Sequence, residues 1–283
     1  MQAQITLTVA EGKRLIAEAI CRRADVQSAL AGGRILLKGG TTVSAVLERL
    51  TGEMLRISGR ISPRGAKASA QREGGAHSAV LAHGQLISMD TCFSEAVQSL
   101  GKTDIAIIGA NAIDSTGRAA MMFGSPLGGM PGCGLAGLMA QGCKIIIACG
   151  LEKLIPTSID NAVRSAGMQS MDWSMGMAVG LAPIIGELVT EPDAIRLLAD
   201  VECCVIGSGG IDGAEGALTM VVAGRETEIE KIVKLVLTLK QTATSGQANS
   251  LAECTPGKAA GCGVHRACAW RVQKGENLQW VKK

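Results

Sequence analysis

The stretch DIAIIGANAIDSTGRAA, residues 104–120, places four consecutive apolar residues after an aspartate and ends them at a glycine. The polar side chains Asn111 and Asp114 follow within six residues. A short, continuously apolar run bounded by turn residues is typical of a strand that is buried on both faces. The stretch therefore predicts a strand of a parallel sheet, with polar side chains just beyond its carboxyl end.

Apolar strands and amphipathic helices alternate along most of the chain. Besides residues 104–108, strands are predicted at residues 34–38, 78–88, 144–149, 201–206 and 217–222. Helices are predicted at residues 8–23 (opened by a capping box of Thr8 and Glu11), 41–50 (capped by a threonine), 92–100, 135–141, 158–166, from residue 190 onward, and 226–240, with a basic loop at 58–75. Such alternation predicts an α/β fold with helices on both faces of the sheet.

We therefore predict a Rossmann-like, doubly wound, mostly parallel sheet with a further α/β half and a Cys-rich C-terminal tail. Residues 1–150 form the Rossmann-like ligand-binding half, and residues 151–240 form the second α/β half. After residue 240 the sequence becomes small and polar and then rich in cysteine. Residues 241–283 are accordingly interpreted as a linker and tail.

Composition excludes several function classes. The 283 residues are 47% hydrophobic, include only two Phe, three Trp and no Tyr, and carry a net charge of +3. Scarce aromatic residues and a small charge argue against nucleic-acid binding. No apolar run approaches the ~18 residues of a membrane span, and the first residues do not resemble a signal peptide. Ten cysteines without a disulfide framework indicate reduced thiols. We expect a cytoplasmic protein without membrane or nucleic-acid partners.

Two predicted strand ends carry candidate ligand-binding residues. In open α/β sheets, ligands bind outside the carboxyl ends of the strands, where helix amides face the crevice. After strand 34–38 come Gly39, Gly40, Thr41 and Thr42, which suit an anion or form an ordinary capped turn. After the opening strand, Asn111 can bind a substrate by hydrogen bonds but cannot act as a carboxylate base.

Three candidate proton-transfer residues follow predicted strands. Asp114 can act as an acid or base, or can shape a turn. Glu152 and Lys153 follow strand 144–149 and are candidates for proton transfer or charge stabilisation, or form a surface ion pair.

Gly128 and Gly129 lie in a glycine-dense segment whose free amides can form an anion nest. His77 is a further site candidate.

Three of these stretches resemble one superfamily, which unites ribose-5-phosphate isomerase, glucosamine-6-phosphate deaminase and the CoA transferases. GGTT at residues 39–42 is similar to its first phosphate loop, DIAIIGANAID to its strand followed by Gly-Ala-Asp-x-x-Asp, and residues 128–150 to the glycine-rich helix and next strand of CoA transferases. The resemblance covers roughly residues 32–150. It implies a Rossmann-like fold and a site for a phosphate group or CoA.

This chain departs from the superfamily at its catalytic positions. Asn111 stands where the isomerases have the first aspartate, and Asp114 stands at the second. The Lys-Gly-Gly stretch and base glutamate of the isomerases have no counterpart at residues 122–129, and no nucleophilic glutamate loop of a CoA transferase is evident. The resemblance therefore implies a fold and a ligand class, but no reaction.

The tail contains a candidate metal site. Cys254, Cys262, His265 and Cys268 gather three thiols and an imidazole within fifteen residues. Such ligands suit tetrahedral Zn, or an iron–sulfur cluster. The alternative is a tail with ordinary thiols.

The leading hypothesis is a homo-oligomeric enzyme that binds a phosphorylated sugar-like or CoA-linked small molecule at the strand ends and is isomerase- or transferase-like. A second hypothesis is a non-catalytic sensor or partner-binding module on the same fold. A third, resting on the tail alone, is a metal or iron–sulfur redox protein.

Overall fold

A six-stranded mixed sheet forms the centre of the fold. The computed structural model describes residues 1–68, 74–250, 262, 264, 265 and 267–270. The strands are β1 (Gln2–Leu7), β2 (Arg34–Lys38), β3 (Gly59–Ser62), β4 (Gly65–Ala68), β5 (Ser78–Ala82), β6 (Gln85–Ser88), β7 (Ile105–Ile108), β8 (Ala112–Ile113), β9 (Ala119–Phe123), β10 (Lys144–Ala148), β11 (Gly180–Ile184), β12 (Glu187–Val189), β13 (Val201–Ser208) and β14 (Leu218–Gly224). The α-helices are α1 (Val9–Arg22), α2 (Ala24–Gly32), α3 (Thr41–Thr51), α4 (Phe93–Gln98), α5 (Gly129–Cys133), α6 (Leu135–Ala140), α7 (Ile159–Ser165), α8 (Glu191–Leu198) and α9 (Glu226–Thr238).

The central sheet has the strand order β12-β10-β7-β2-β5-β6. Strands β12, β10, β7 and β2 pair in parallel, and β5 and β6 complete the sheet as antiparallel neighbours. The carboxyl ends of four neighbouring strands therefore meet at one edge. This confirms the α/β class and the parallel pairing predicted for the opening stretch.

Both faces of the central sheet are buried. Ile105 and Ile107 of β7 belong to one core cluster, together with residues of α1, α3, α8 and α9. Ala106 and Ile108 point to the other side and pack with residues of α4, α6 and β9. Burial on both faces explains why β7 is apolar at every position, because neither set of alternating side chains reaches water.

Three smaller sheets surround the central one. Strands β1, β14 and β13 form an antiparallel sheet, β11, β9 and β8 form another, and β3 and β4 form a hairpin. The central sheet itself takes strands from both sides of residue 150, since β12 pairs with β10. Within the described ranges, no helix is long and apolar enough to cross a membrane.

The local structure agrees with the predicted helix starts better than with the predicted loops. The capping box of Thr8 and Glu11 is confirmed at the start of α1. The predicted threonine cap of α3 is wrong, because Gly40 is the N-cap and provides no capping side chain. Residues 58–75 are not simply a loop but contain β3 and β4, and residues 78–88 form two strands instead of one. The strands β1, β8, β9, β11 and β12 and the helix α2 were not predicted.

Candidate functional site

A cleft lies at the carboxyl edge of the parallel strands and consists of two adjoining cavities. One, of about 450 Å³, is lined by residues that include Glu152 and is called the Glu152 cavity. The other, of about 370 Å³, is lined by residues that include Lys38 and is called the Lys38 cavity. The residues that line both are Gly40, Gly59, Arg60, Ile61, Gly109, Ala110 and Asn111. The cleft therefore lies beyond the ends of β2, β7 and β10, where the ligand-binding rule for α/β sheets places a site.

The N-terminus of α3 opens into the Glu152 cavity. Thr41, Thr42 and Val43 line this cavity and form the first turn of the helix. Intrahelical bonding begins with the Ser44 amide, which donates to the Gly40 carbonyl at 2.7 Å. The three preceding amides have no intrahelical acceptor, and the N-cap offers no side chain to them. They are therefore available to a ligand and carry the positive end of the helix dipole.

Positive charge dominates the cleft. The Lys38 cavity is lined by the cations Lys38, Arg60 and Lys67, and no Asp or Glu is among the described residues that line it. The Glu152 cavity is lined by three cations, Lys13, Arg60 and Lys153, against the single carboxylate of Glu152 in the part of the chain that the structure describes. This charge distribution attracts anionic ligands.

Lys38 is buried at the end of β2. Only 8% of the residue is exposed, and burial lowers the pKa of its ammonium group to about 8. No salt bridge or hydrogen bond joins its side chain to another residue of the described part. Lys38 was not predicted as a site residue, because a lysine that ends a strand reads as a surface residue.

His77 packs against the backbone of Gly39. Its Nδ1 lies 3.0 Å from the carbonyl oxygen of Arg56, which can only accept, so Nδ1 carries the proton. Burial lowers the pKa of the imidazole to about 4, and the nearby Lys38 charge adds to this effect. His77 is therefore neutral at neutral pH, with Nε2 as its unprotonated nitrogen.

We expect Gly39→Ala to destabilise the protein. A Cβ atom at Gly39 would lie 2.2 Å from Cε1 of His77 and 2.4 Å from the His77 carbonyl oxygen, so backbone and ring must both shift. Such overpacking costs about 1–3 kcal/mol of the free energy of unfolding. Urea denaturation measures the loss, and Gly32→Ala is the control because a Cβ there meets no atom within 4 Å. Equal stabilities for the two variants would contradict the packing described for His77.

A buried charge cluster lies at the other end of the cleft. Nζ of Lys13 is 3.4 Å and Nζ of Lys153 is 4.0 Å from Oε1 of Glu152. Both oxygens of Glu152 are buried, and neither accepts a hydrogen bond from a described residue. Burial lowers the pKa of Lys13, and the Glu152 charge partly opposes the shift. Glu152 thus pairs with two lysines. Its carboxylate oxygens accept no hydrogen bond from a described residue and can therefore accept a proton.

A second carboxylate, that of Glu191, lies close to Glu152 beside Gly150. A Cβ atom at Gly150 would lie 2.1 Å from Oε2 of Glu152 and 2.5 Å from Oε1 of Glu191, so both carboxylates approach the same glycine. Oε2 of Glu191 accepts a hydrogen bond of 2.9 Å from the Leu151 amide. Burial, with a smaller contribution from the Glu152 charge, raises the pKa of Glu191 to about 7. Sequence reasoning missed Glu191, since Thr190 and Asp193 form a capping box around it.

Most of the predicted binding residues do line the cleft. Asn111 lines both cavities, and its Oδ1 accepts the Met122 amide at 2.9 Å, which leaves Nδ2 as a donor for a ligand. Gly39, Gly128 and Gly129 line the Lys38 cavity. Thr41, Thr42, Glu152 and Lys153 line the Glu152 cavity.

Asp114 does not line either cavity. Its carboxylate is bound within the protein: Oδ1 accepts the Thr116 hydroxyl at 2.6 Å, and Oδ2 accepts the Ile159 amide at 2.9 Å. These bonds, led by that from Thr116, lower the pKa of Asp114 to about 2. Asp114 therefore organises the turn after β8 and the start of α7, which is the turn chemistry considered for it from the sequence.

The tail residues are only partly described. Cys254 lies outside the described residues, so the predicted set of four ligands is not tested. Nε2 of His265 donates to the Gly124 carbonyl at 2.8 Å, and the backbone of Cys268 bridges to Ser174. Among the residues that the structure describes, no three or more His, Cys, Asp or Glu side chains form a group that could hold a metal ion.

In comparisons with known proteins, no protein-family model, no curated protein and no solved structure matches the chain.

Proposed function

We propose that the protein is an enzyme that binds a phosphorylated sugar-like or CoA-linked small molecule along the cleft and moves a proton on it through Glu152. One observation carries the proposal: three helix amides without an intrahelical acceptor, several cations and a buried carboxylate that accepts no hydrogen bond from a described residue lie together at the carboxyl edge of a parallel sheet. The finer fold expectation, a Rossmann-like sheet related to the sugar-phosphate isomerases and CoA transferases, is part of this proposal.

The anionic group of the ligand is proposed to bind between the start of α3 and Arg60. The amides of Thr41 and Thr42 donate to no described residue, and the helix dipole adds positive potential there. Arg60 lines both cavities and can donate to an anion from the opposite wall. The rest of an elongated ligand then extends into the Lys38 cavity.

Proton transfer is proposed to occur at Glu152. Its oxygens can take a proton from a ligand carbon or hydroxyl group, because no described hydrogen bond occupies them. Lys13 and Lys153 hold the carboxylate in place and offset its charge. Nδ2 of Asn111 can donate to a ligand oxygen on which negative charge develops.

Binding is tested with inorganic phosphate, ribose 5-phosphate and CoA. We expect thermal stabilisation of the wild-type protein by at least one of the two organic ligands. Arg60→Gln should weaken that binding about tenfold or more, since a hydrogen bond to a charged group contributes about 1.5–3 kcal/mol. The matched control is Arg225→Gln, which removes a guanidinium group from a side chain that is 73% exposed and lines neither cavity.

The outcomes separate the proposal from its alternative. Equal affinities of the Arg60 and Arg225 variants would place the anion elsewhere. Binding without turnover of any sugar phosphate or CoA thioester would favour the sensor hypothesis over the enzyme.

A further inference from the structure

Lys38 lines a cavity, and its amine has no charge partner among the described residues. Only 8% of the residue is exposed, and it lines the Lys38 cavity. No carboxylate of the described residues lines that cavity. A buried ammonium group without a counter-ion is disfavoured, which shifts the amine toward its neutral, nucleophilic form.

A neutral imidazole lies beside this amine. His77 lines the same cavity, and its ring packs on Gly39, the residue that follows Lys38. Because Nδ1 donates to the Arg56 carbonyl, the tautomer leaves Nε2 with a free lone pair. No hydrogen bond from the described residues occupies Nε2, so this atom can accept a proton.

One part of the cavity wall is apolar. Met121, Phe123, Met177 and Val179 line it. An apolar wall around an amine favours the loss of water, which imine formation requires.

We propose that Lys38 forms a covalent imine with an aldehyde or ketone group of the ligand, and that His77 is the proton acceptor for this step. The inference adds a reaction to the proposed function and relies on it only for the ligand's entry into the cleft. It does not depend on the anion site at α3.

The proposed step is balanced without an oxidant or reductant. The lone pair of neutral Nζ forms a bond to the carbonyl carbon while the C=O π bond breaks. One Nζ proton passes through Nε2 of His77 to the oxygen and gives a carbinolamine. The hydroxyl group then leaves with a second proton as water, and the nitrogen lone pair completes the C=N bond.

Reductive trapping tests this inference on the full-length protein. The wild-type protein is incubated at pH 8 with glycolaldehyde or glycolaldehyde phosphate and sodium cyanoborohydride, and labelled lysines are located by peptide mass spectrometry. Lys102, which is exposed, is the internal control. We expect Lys38 to be labelled at least about tenfold faster than Lys102, and His77→Gln to slow the labelling of Lys38 at least about tenfold. His83→Asn, outside both cavities, should leave it unchanged.

Each outcome bears on one of the two proposals. Preferential labelling of Lys38 by both probes supports the imine, and faster labelling by the phosphorylated probe additionally supports the anion site. Preferential labelling without a phosphate effect supports the imine and argues against the anion site. If Lys38 is labelled no faster than Lys102 by either probe, the imine proposal is overturned, even where ligand stabilisation shows that the anion site exists.

Discussion

Glu152→Gln is expected to lose turnover by at least about a hundredfold, as the removal of a general base typically does. The amide cannot take a proton, although it matches the carboxylate in size. The loss should fall on kcat more than on KM, because the amides of α3 and Arg60, which are proposed to bind the anion, remain in place. Steady-state kinetics on a substrate found among the sugar phosphates and CoA thioesters measures the split.

The same substitution should also destabilise the fold, and a second variant separates the two effects. Lys13 is 8% exposed, and Glu152 is its only ion-pair partner among the described residues. Leaving such a cation unpaired costs about 3 kcal/mol, whereas removing both charges costs much less. The double variant Lys13→Met, Glu152→Gln should therefore regain most of the stability and none of the turnover. Recovery of turnover in the double variant would assign Glu152 a structural role only.

The placement of the cleft could be predicted from the sequence, because it depends on the direction of strands. A continuously apolar strand must be covered on both faces, and parallel strands end at one edge of the sheet. Asn111, Thr42 and Glu152 each follow such a strand and do line the cleft. Local sequence patterns were sufficient for these residues.

The chemistry inside the cleft depends on tertiary contacts that leave no local pattern. Glu191 acquires its raised pKa from burial beside Gly150, some forty residues earlier, and in sequence it is only the first residue of a capped helix. Lys38 and His77 meet because β2 and β5 pair. Asp114 shows the converse, because a motif that suggests catalysis here stabilises a turn. Its carboxylate accepts hydrogen bonds from Thr116 and Arg118, which are at most four residues away, and from the Ile159 amide.

Glu191→Gln should stabilise the protein at pH 8 and have little effect at pH 4. The pKa of Glu191 is raised from 4.5 to about 7, so between these values the folded state binds more protons than the unfolded state. Its contribution to the free energy of unfolding therefore falls as pH rises from 4.5 to 7 and is constant above 7. This pKa shift lowers the free energy of unfolding at pH 7 and above by about 3 kcal/mol. A glutamine at this position carries no charge and does not cause this loss of stability.

The pH profile of the wild-type protein alone does not isolate this effect, because His77 titrates in the opposite sense. The pKa of His77 falls from 6.5 to about 4 on burial. Its contribution to the free energy of unfolding therefore increases as the pH rises from about 4 to 6.5. The difference in unfolding free energy between wild type and Glu191→Gln removes the His77 contribution, since both proteins contain it. Urea denaturation at pH 4, 5, 6, 7 and 8 should show this difference growing to about 3 kcal/mol by pH 7 and then remaining level. Glu202→Gln, on the exposed side of β13, should give a difference near zero throughout. A flat difference for Glu191→Gln as well would mean that the pKa of Glu191 is not raised in the folded protein.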